Sequence, residues 1–113
     1  MRTINFYRTE SGACPVEKFL DALSGKQARK VVWVLRLIEE LDSVPGQYFQ
    51  KMVNTDDIWE VRAQFGGNIF RILGFFAGSA ELILTNGFIK KRQKTPRQEI
   101  ILAERRKKEY LSR

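Results

Sequence analysis

Two arginines pose the chemical question in this chain. Arg62 belongs to the polar phase of Trp59-Glu60-Val61-Arg62-Ala63-Gln64-Phe65, and Arg71 interrupts the otherwise apolar run from Ile69 to Phe76. With a turn centred near Gly66-Gly67, the two guanidinium groups fall close together on neighbouring strands. Like charges placed side by side on a sheet repel. The pair therefore calls for a compensating anion, either Glu60 or an outside group. A planar guanidinium donates two hydrogen bonds at once, which suits a phosphate. A plain surface bridge from Glu60 to one of the arginines is the simpler use of the same residues.

Further cations follow where the last strand ends, in Phe88-Ile89-Lys90-Lys91-Arg92-Gln93-Lys94. Strand ends and their loops are common places for functional groups. Lys51 adds charge from the other flank, in Tyr48-Phe49-Gln50-Lys51. Tyr48 and Phe49 either stack on a nucleobase or pack in the core.

The chain has no histidine, which removes His-based acid–base chemistry, Ser-His-Asp triads and the commonest zinc ligand. RNA can still be cut without it, because its own 2′-hydroxyl can attack the adjacent phosphate. Arg62 and Arg71 would stabilise the developing charge. A lysine crowded by other cations loses basicity and can accept the 2′-hydroxyl proton; Lys90, Lys91 and Lys51 are the candidates, with Glu60 as a competing base. Arg92, Lys94 and Tyr48 would join Lys51 in holding the RNA. No acidic cluster is arranged for a metal, and no cofactor is expected.

The charge balance points the same way. The chain of 113 residues carries 20 Lys/Arg against 13 Asp/Glu, a net charge of +7. Residues 1–89 hold ten of each sign; residues 90–113 hold ten basic residues against Glu99, Glu104 and Glu109. The whole excess sits at the C-terminal end, which implies a polyanionic or acidic partner. An apolar content of 43% argues for a folded core, and the length fits a single domain over residues 1–113. The single Cys14 cannot form an internal disulfide, which suits a reducing cytoplasm and a packed thiol. No apolar run approaches the ~20 residues of a membrane span, and the N-terminus has no apolar signal core.

These residues need elements to position them. Thr3 to Tyr7 alternates as a half-buried strand. Pro15 opens a short helix with Val16, Phe19, Leu20 and Leu23 on one face. A second helix runs from about Lys26 to Leu41, its apolar residues at three- and four-residue steps. Pro45-Gly46 ends it. From Trp59 the period becomes two, and short turns at Gly66-Gly67-Asn68 and Ala77-Gly78-Ser79 join three strands into an antiparallel meander. Thr95 as N-cap and Pro96 as first helical residue open a final helix with Ile100, Ala103, Lys107 and Leu111 on one face. The order β-α-α-β-β-β-α is an α+β domain: a small antiparallel sheet, an N-terminal helix hairpin on one face and a C-terminal helix.

Several segments together resemble the RelE/ParE toxin superfamily, most of all its phage-derived, HigB-like branch. They are Trp59-Glu60-Val61-Arg62, Asn68-Ile69-Phe70-Arg71-Ile72-Leu73, Asn86-Gly87-Phe88-Ile89-Lys90-Lys91 and Gln93-Lys94-Thr95-Pro96 with Glu99-Ile100 and Ala103. The Pro15-Val16 helix start before Phe19-Leu20 also matches. The likeness runs from about Ile4 to Tyr110. It implies a RelE-like fold and the toxin of a type II toxin–antitoxin pair, cutting mRNA in the ribosomal A site. It also implies a helix-turn-helix antitoxin that neutralises the toxin and represses the shared operon by binding its DNA. By motif the active surface maps to Arg62, Arg71, Lys90 and Lys91. Two other readings stay open: a gyrase-poisoning inhibitor of the ParE kind, and a non-catalytic member that only binds nucleic acid or antitoxin.

Overall fold

The computed structural model describes residues 1–91 and 94–113. In chain order the elements are β1 (Thr3–Phe6), α1 (Pro15–Asp21), α2 (Gly25–Glu40), β2 (Phe49–Lys51), β3 (Trp59–Phe65), β4 (Asn68–Ala77), β5 (Glu81–Lys90) and α3 (Arg97–Leu111). The strands form one sheet in the order β1-β5-β4-β3-β2. All pairs are antiparallel except β1, which lies parallel to β5. The α+β architecture is the one the periodicity predicts, with one addition. β2 is a three-residue edge strand, too short for alternation to reveal it. Among the described residues, no helix is long and apolar enough to cross a membrane.

Local chemistry explains the element ends. Pro15 sits in the first turn of α1, where its missing N–H has no partner to lose. Ser24 does more than separate the two helices: its hydroxyl accepts from the Gln27 amide while the Gln27 side chain accepts from the Ser24 amide, a full capping box. At the other end of α2, the Arg2 guanidinium donates to the carbonyls of Ile38 (3.0 Å), Leu41 (2.6 Å) and Asp42 (2.9 Å). That contact ties the start of β1 to the helix end and places a cation where the helix dipole favours one. Gly66 takes the positive φ of +61° required at the first position of the two-residue hairpin between β3 and β4.

The sheet has a core on each side. On one face Val61, Ala63, Phe70, Ile72, Leu82 and Leu84 pack against Val16 of α1 and Val31, Val34, Leu35 and Ile38 of α2. Gly87 lets α1 approach: a Cβ there would stand 2.5 Å from the Phe19 ring. On the opposite face Leu73, Phe75 and Ile83 pack with Tyr7, Ile58 and Ala103, and α3 lies over β4 and β5. Tyr110 closes that layer, 5.6 Å from the Phe75 ring, whereas Leu111, expected on the packed face, is 57% exposed. One turn of α3 thus faces slightly differently from the simple periodic reading.

β5 contains the irregularity on which the site depends. Leu73 pairs with Asn86 and Gly74 with Leu84, so Thr85 is an extra residue. Its hydroxyl donates to the Asn86 side-chain oxygen at 2.6 Å and lies 3.2 Å from the Leu73 carbonyl. Such a bulge shifts the side-chain phase of everything after it. Asn86, Phe88 and Lys90 therefore join Ile83 on the α3 side of the sheet rather than the side of the helix hairpin.

Candidate functional site

Beyond the part that α3 covers, the same sheet face turns polar. Arg62 and Arg71 are directly opposite in the β3–β4 register. The Arg62 amide points the other way, to the Tyr48 carbonyl at 2.8 Å. The arginine pair is therefore of the non-hydrogen-bonded type, in which opposed side chains come closest. Glu60, two residues earlier on β3, answers the repulsion. Its Oε1 lies 3.5 Å from the Arg62 Nε and 3.6 Å from the Arg71 Nε, while the Thr95 hydroxyl donates to its Oε2 at 2.6 Å. One carboxylate thus serves two guanidinium groups at ion-pair distance. Among the described residues neither buried Nε has a hydrogen-bond partner. Both face the Glu60 carboxylate at ion-pair distance and are closed off from solvent, so an outside anion is met by the remaining guanidinium nitrogens. The side chains of Glu60 and Arg71 are 8% exposed and that of Arg62 is 29% exposed, so an incoming ligand meets Arg62 first.

Arg62 is anchored from outside, donating to the Gln50 side chain at 2.9 Å and the Gly46 carbonyl at 3.3 Å. Arg71 donates to the Phe70 carbonyl at 3.1 Å. Burial lowers the Arg71 pKa, the neighbouring Arg62 lowers it further, and Glu60 opposes both. Lys90 feels the same group of charges. Its pKa is lowered by burial first, then by Arg71 and Arg62, with Glu60 again opposing. Phe88 stands opposite Arg71 on β5 and packs against the apolar cluster on the α3 side.

The other residues singled out from sequence are placed as follows. Lys91 is exposed just past the end of β5, and Lys94 is exposed before α3. Arg92 lies outside the described residues. Lys51 is not part of the group: strand alternation sends it to the side opposite Gln50, and its Nζ pairs with Asp57 at 2.8 Å. Phe49 is core, stacked on Trp59 with centroids 4.7 Å apart, whereas Tyr48 is half-buried against Trp33 at 5.6 Å. Thr95 does not cap α3, whose N-cap is Pro96 with no side-chain bond; its hydroxyl is used on Glu60 instead. That role and the Gln50 anchor were missed, because a Thr-Pro pair reads as a helix start and Gln50 lies in the short edge strand.

A cavity of about 340 Å³ adjoins the arginines where β3 runs on past the end of β2. Arg62 and Arg71 line it together with Lys30 of α2, Gln47, Tyr48, Ala63 and Gln64. Taken as a whole, the region offers paired guanidinium groups, a lysine of lowered basicity and a carboxylate locked among them. Such a set can bind a phosphoryl group, neutralise extra negative charge and move a proton.

Comparison with curated proteins found no match. Residues 18–108 match the family model of phage-derived Gp49-like proteins (DUF891), a span that includes every residue of the arginine group. With most of its length inside that match, the chain belongs to the phage-derived Gp49-like family, a toxin-type family of the RelE/HigB-like kind.

Proposed function

We propose that this chain is the toxin of a type II toxin–antitoxin pair and cleaves messenger RNA on the ribosome. The observation that carries the reading is the pair of directly opposed arginines on one sheet face, served by a single carboxylate and set near Lys90, whose charged form is disfavoured. In the proposed reaction neutral Lys90 takes the proton of a 2′-hydroxyl. The freed oxygen attacks the adjacent phosphorus, and Arg62 and Arg71 stabilise the added negative charge. The bond to the next nucleotide's 5′-oxygen breaks, that oxygen takes a proton from water, and a 2′,3′-cyclic phosphate remains. The nucleophile belongs to the substrate, so the scheme calls on no metal. Glu60 acts here as a positioning residue, since its oxygens are engaged by Thr95 and two guanidinium groups. Lys91 and Lys94 would add phosphate contacts at the rim.

The partner in the same reading is a helix-turn-helix antitoxin that covers the arginine face and binds operator DNA as the complex. Charge steering makes its association rate fall steeply with salt; a rate indifferent to salt would count against it. The test of function is a map of new mRNA 5′ ends after brief induction, with wild type beside Arg71→Ala and Arg62→Ala. Cuts inside translated frames that vanish in both folded variants are the expected result. Toxicity with intact mRNA and damaged DNA would replace this reading by gyrase poisoning, and neither cuts nor toxicity would leave a binding-only protein.

A further inference from the structure

We infer that the cavity beside the free end of β3 is a nucleotide subsite, holding one RNA residue next to the arginine pair, and that Gln47 and Gln64 select its base. The inference rests on the RNA-cleaving reading of that face. Four observations carry it. First, β2 pairs with β3 only as far as Val61, and the Tyr48 carbonyl takes the Arg62 amide. The two-residue alternation of an antiparallel strand then turns the Gln64 amide and carbonyl toward the same open side. Gln64 thus brings free backbone hydrogen-bonding groups to the open edge beside the cavity it lines.

Second, the lining brings Lys30, Arg62 and Arg71 together, and the one Glu60 carboxylate shared by the two arginines leaves the group net positive. That charge suits a sugar–phosphate; a peptide strand pairing on the open edge would bring a neutral backbone to a positive site. Third, the remaining lining is suited to a base. A glutamine amide donates and accepts at once, as a base edge requires, and the half-buried Tyr48 offers a ring for stacking. The support behind these groups is ordered: Tyr48 stands edge-on to Trp33 with centroids 5.6 Å apart, and the Lys30 ammonium sits 4.3 Å from the Trp33 ring centre. Fourth, 340 Å³ lies at the small end of ligand cavities, a size for one nucleotide rather than a helix. The cavity shares Arg62 and Arg71 with the proposed cleavage site, so the bound nucleotide is the immediate neighbour of the scissile phosphate.

The experiment titrates the full chain with the four nucleoside 3′-monophosphates and with inorganic phosphate, following amide chemical shifts. Wild type, Lys30→Gln, and the Gln47→Ala, Gln64→Ala double variant are compared. At least one nucleotide should bind roughly tenfold tighter than inorganic phosphate, the size of one good base contact. Lys30→Gln should weaken all nucleotides alike, and the double variant should level their ranking. Equal binding of phosphate and all four nucleotides would overturn the subsite, as would a ranking untouched by the double variant. Mapping mRNA ends with the same variants separates the two readings. Base-ranked nucleotide binding without any cleavage keeps the subsite and ends the nuclease proposal. Cleavage whose base pattern survives the double variant keeps the nuclease and ends the subsite.

Discussion

The densest positive charge in the chain and its two sheet arginines are used in opposite ways. On α3 and its end, three of the basic groups find partners. Arg106 donates to the Thr85 carbonyl at 2.7 Å, and Lys107 donates to the Asp56 carbonyl at 2.6 Å with its carboxylate 3.5 Å away. Arg113 donates to the Arg8 carbonyl at 2.6 Å and pairs with Glu109 at 2.7 Å. These contacts fasten the last helix to β5, to the loop before β3 and to the segment after β1. The sheet arginines share a single carboxylate, which leaves the group with an excess of positive charge. Ten basic residues crowded at one end attract notice in a sequence, yet part of that charge is structural. The two sheet arginines outnumber the one carboxylate that serves them.

The strongest way to break this contrast is to exchange the consequences. Arg71→Ala should lower mRNA cleavage by about 10²–10³-fold, the loss that follows removal of one preorganised donor to a developing anion. Arg106→Ala should leave cleavage in place and lower stability by about 1–3 kcal/mol, since it removes a charged donor from the buried Thr85 carbonyl. Cleavage rates and urea unfolding of both variants decide the matter. If Arg106→Ala lost the activity and Arg71→Ala only stability, the assignment of the two regions would be reversed.

Glu60→Gln sharpens the comparison from within the site. Removing the shared carboxylate leaves Arg62 and Arg71 facing each other unscreened. Stability should fall by about 1–3 kcal/mol, and inorganic phosphate should restore more of it than in wild type, because the ligand replaces the missing anion. Melting temperature with and without phosphate measures this. Equal phosphate shifts in both proteins would mean that the arginine pair does not receive the anion.

Much of this arrangement was legible in the sequence, and the parts that were not have particular causes. Alternation around Trp59–Phe65 and Asn68–Ala77, with the glycine turn between them, is enough to set Arg62 opposite Arg71. The helix hairpin follows from apolar spacing and from the Pro15 start. Alternation cannot announce the extra residue at Thr85, yet that bulge decides which face Lys90 takes. A three-residue strand such as β2 has no period to read, so Gln50 as the Arg62 anchor stayed hidden, and so did the departure of Lys51 to Asp57. Thr95 has one hydroxyl and two plausible uses; only the closeness of Glu60, 35 residues away in the chain, selects between them. The lining of the edge cavity comes from α2, from the loop before β2, from β3 and from β4, and no local pattern links all of them.

Smaller effects test how the site is held. Thr95→Val removes the donor to the Glu60 Oε2 at nearly constant shape. It should cost about 1 kcal/mol and reduce cleavage far less than Arg71→Ala does. A loss as large as that of Arg71→Ala would place Thr95 in the reaction itself.

Lys90 gives the smallest stability effect and the most specific pH signature. Its pKa in the folded protein is lowered by burial and by Arg71 and Arg62, against about 10.4 for a free lysine. Between these two values the unfolded chain binds more protons than the folded one, so stability rises with pH across that window. Below the window the folded state carries the full penalty of a disfavoured ammonium. Lys90→Met should therefore raise the melting temperature slightly at neutral pH, and its advantage over wild type should shrink as pH climbs toward the lysine range. Cleavage by wild type should increase with pH over the same interval, as more of Lys90 becomes the neutral proton acceptor, while Lys90→Met loses both the activity and that slope. The two curves are linked by one titration. A variant that gained stability but kept the wild-type pH–rate profile would leave Lys90 as a strained neighbour of the arginines and move proton transfer to another group.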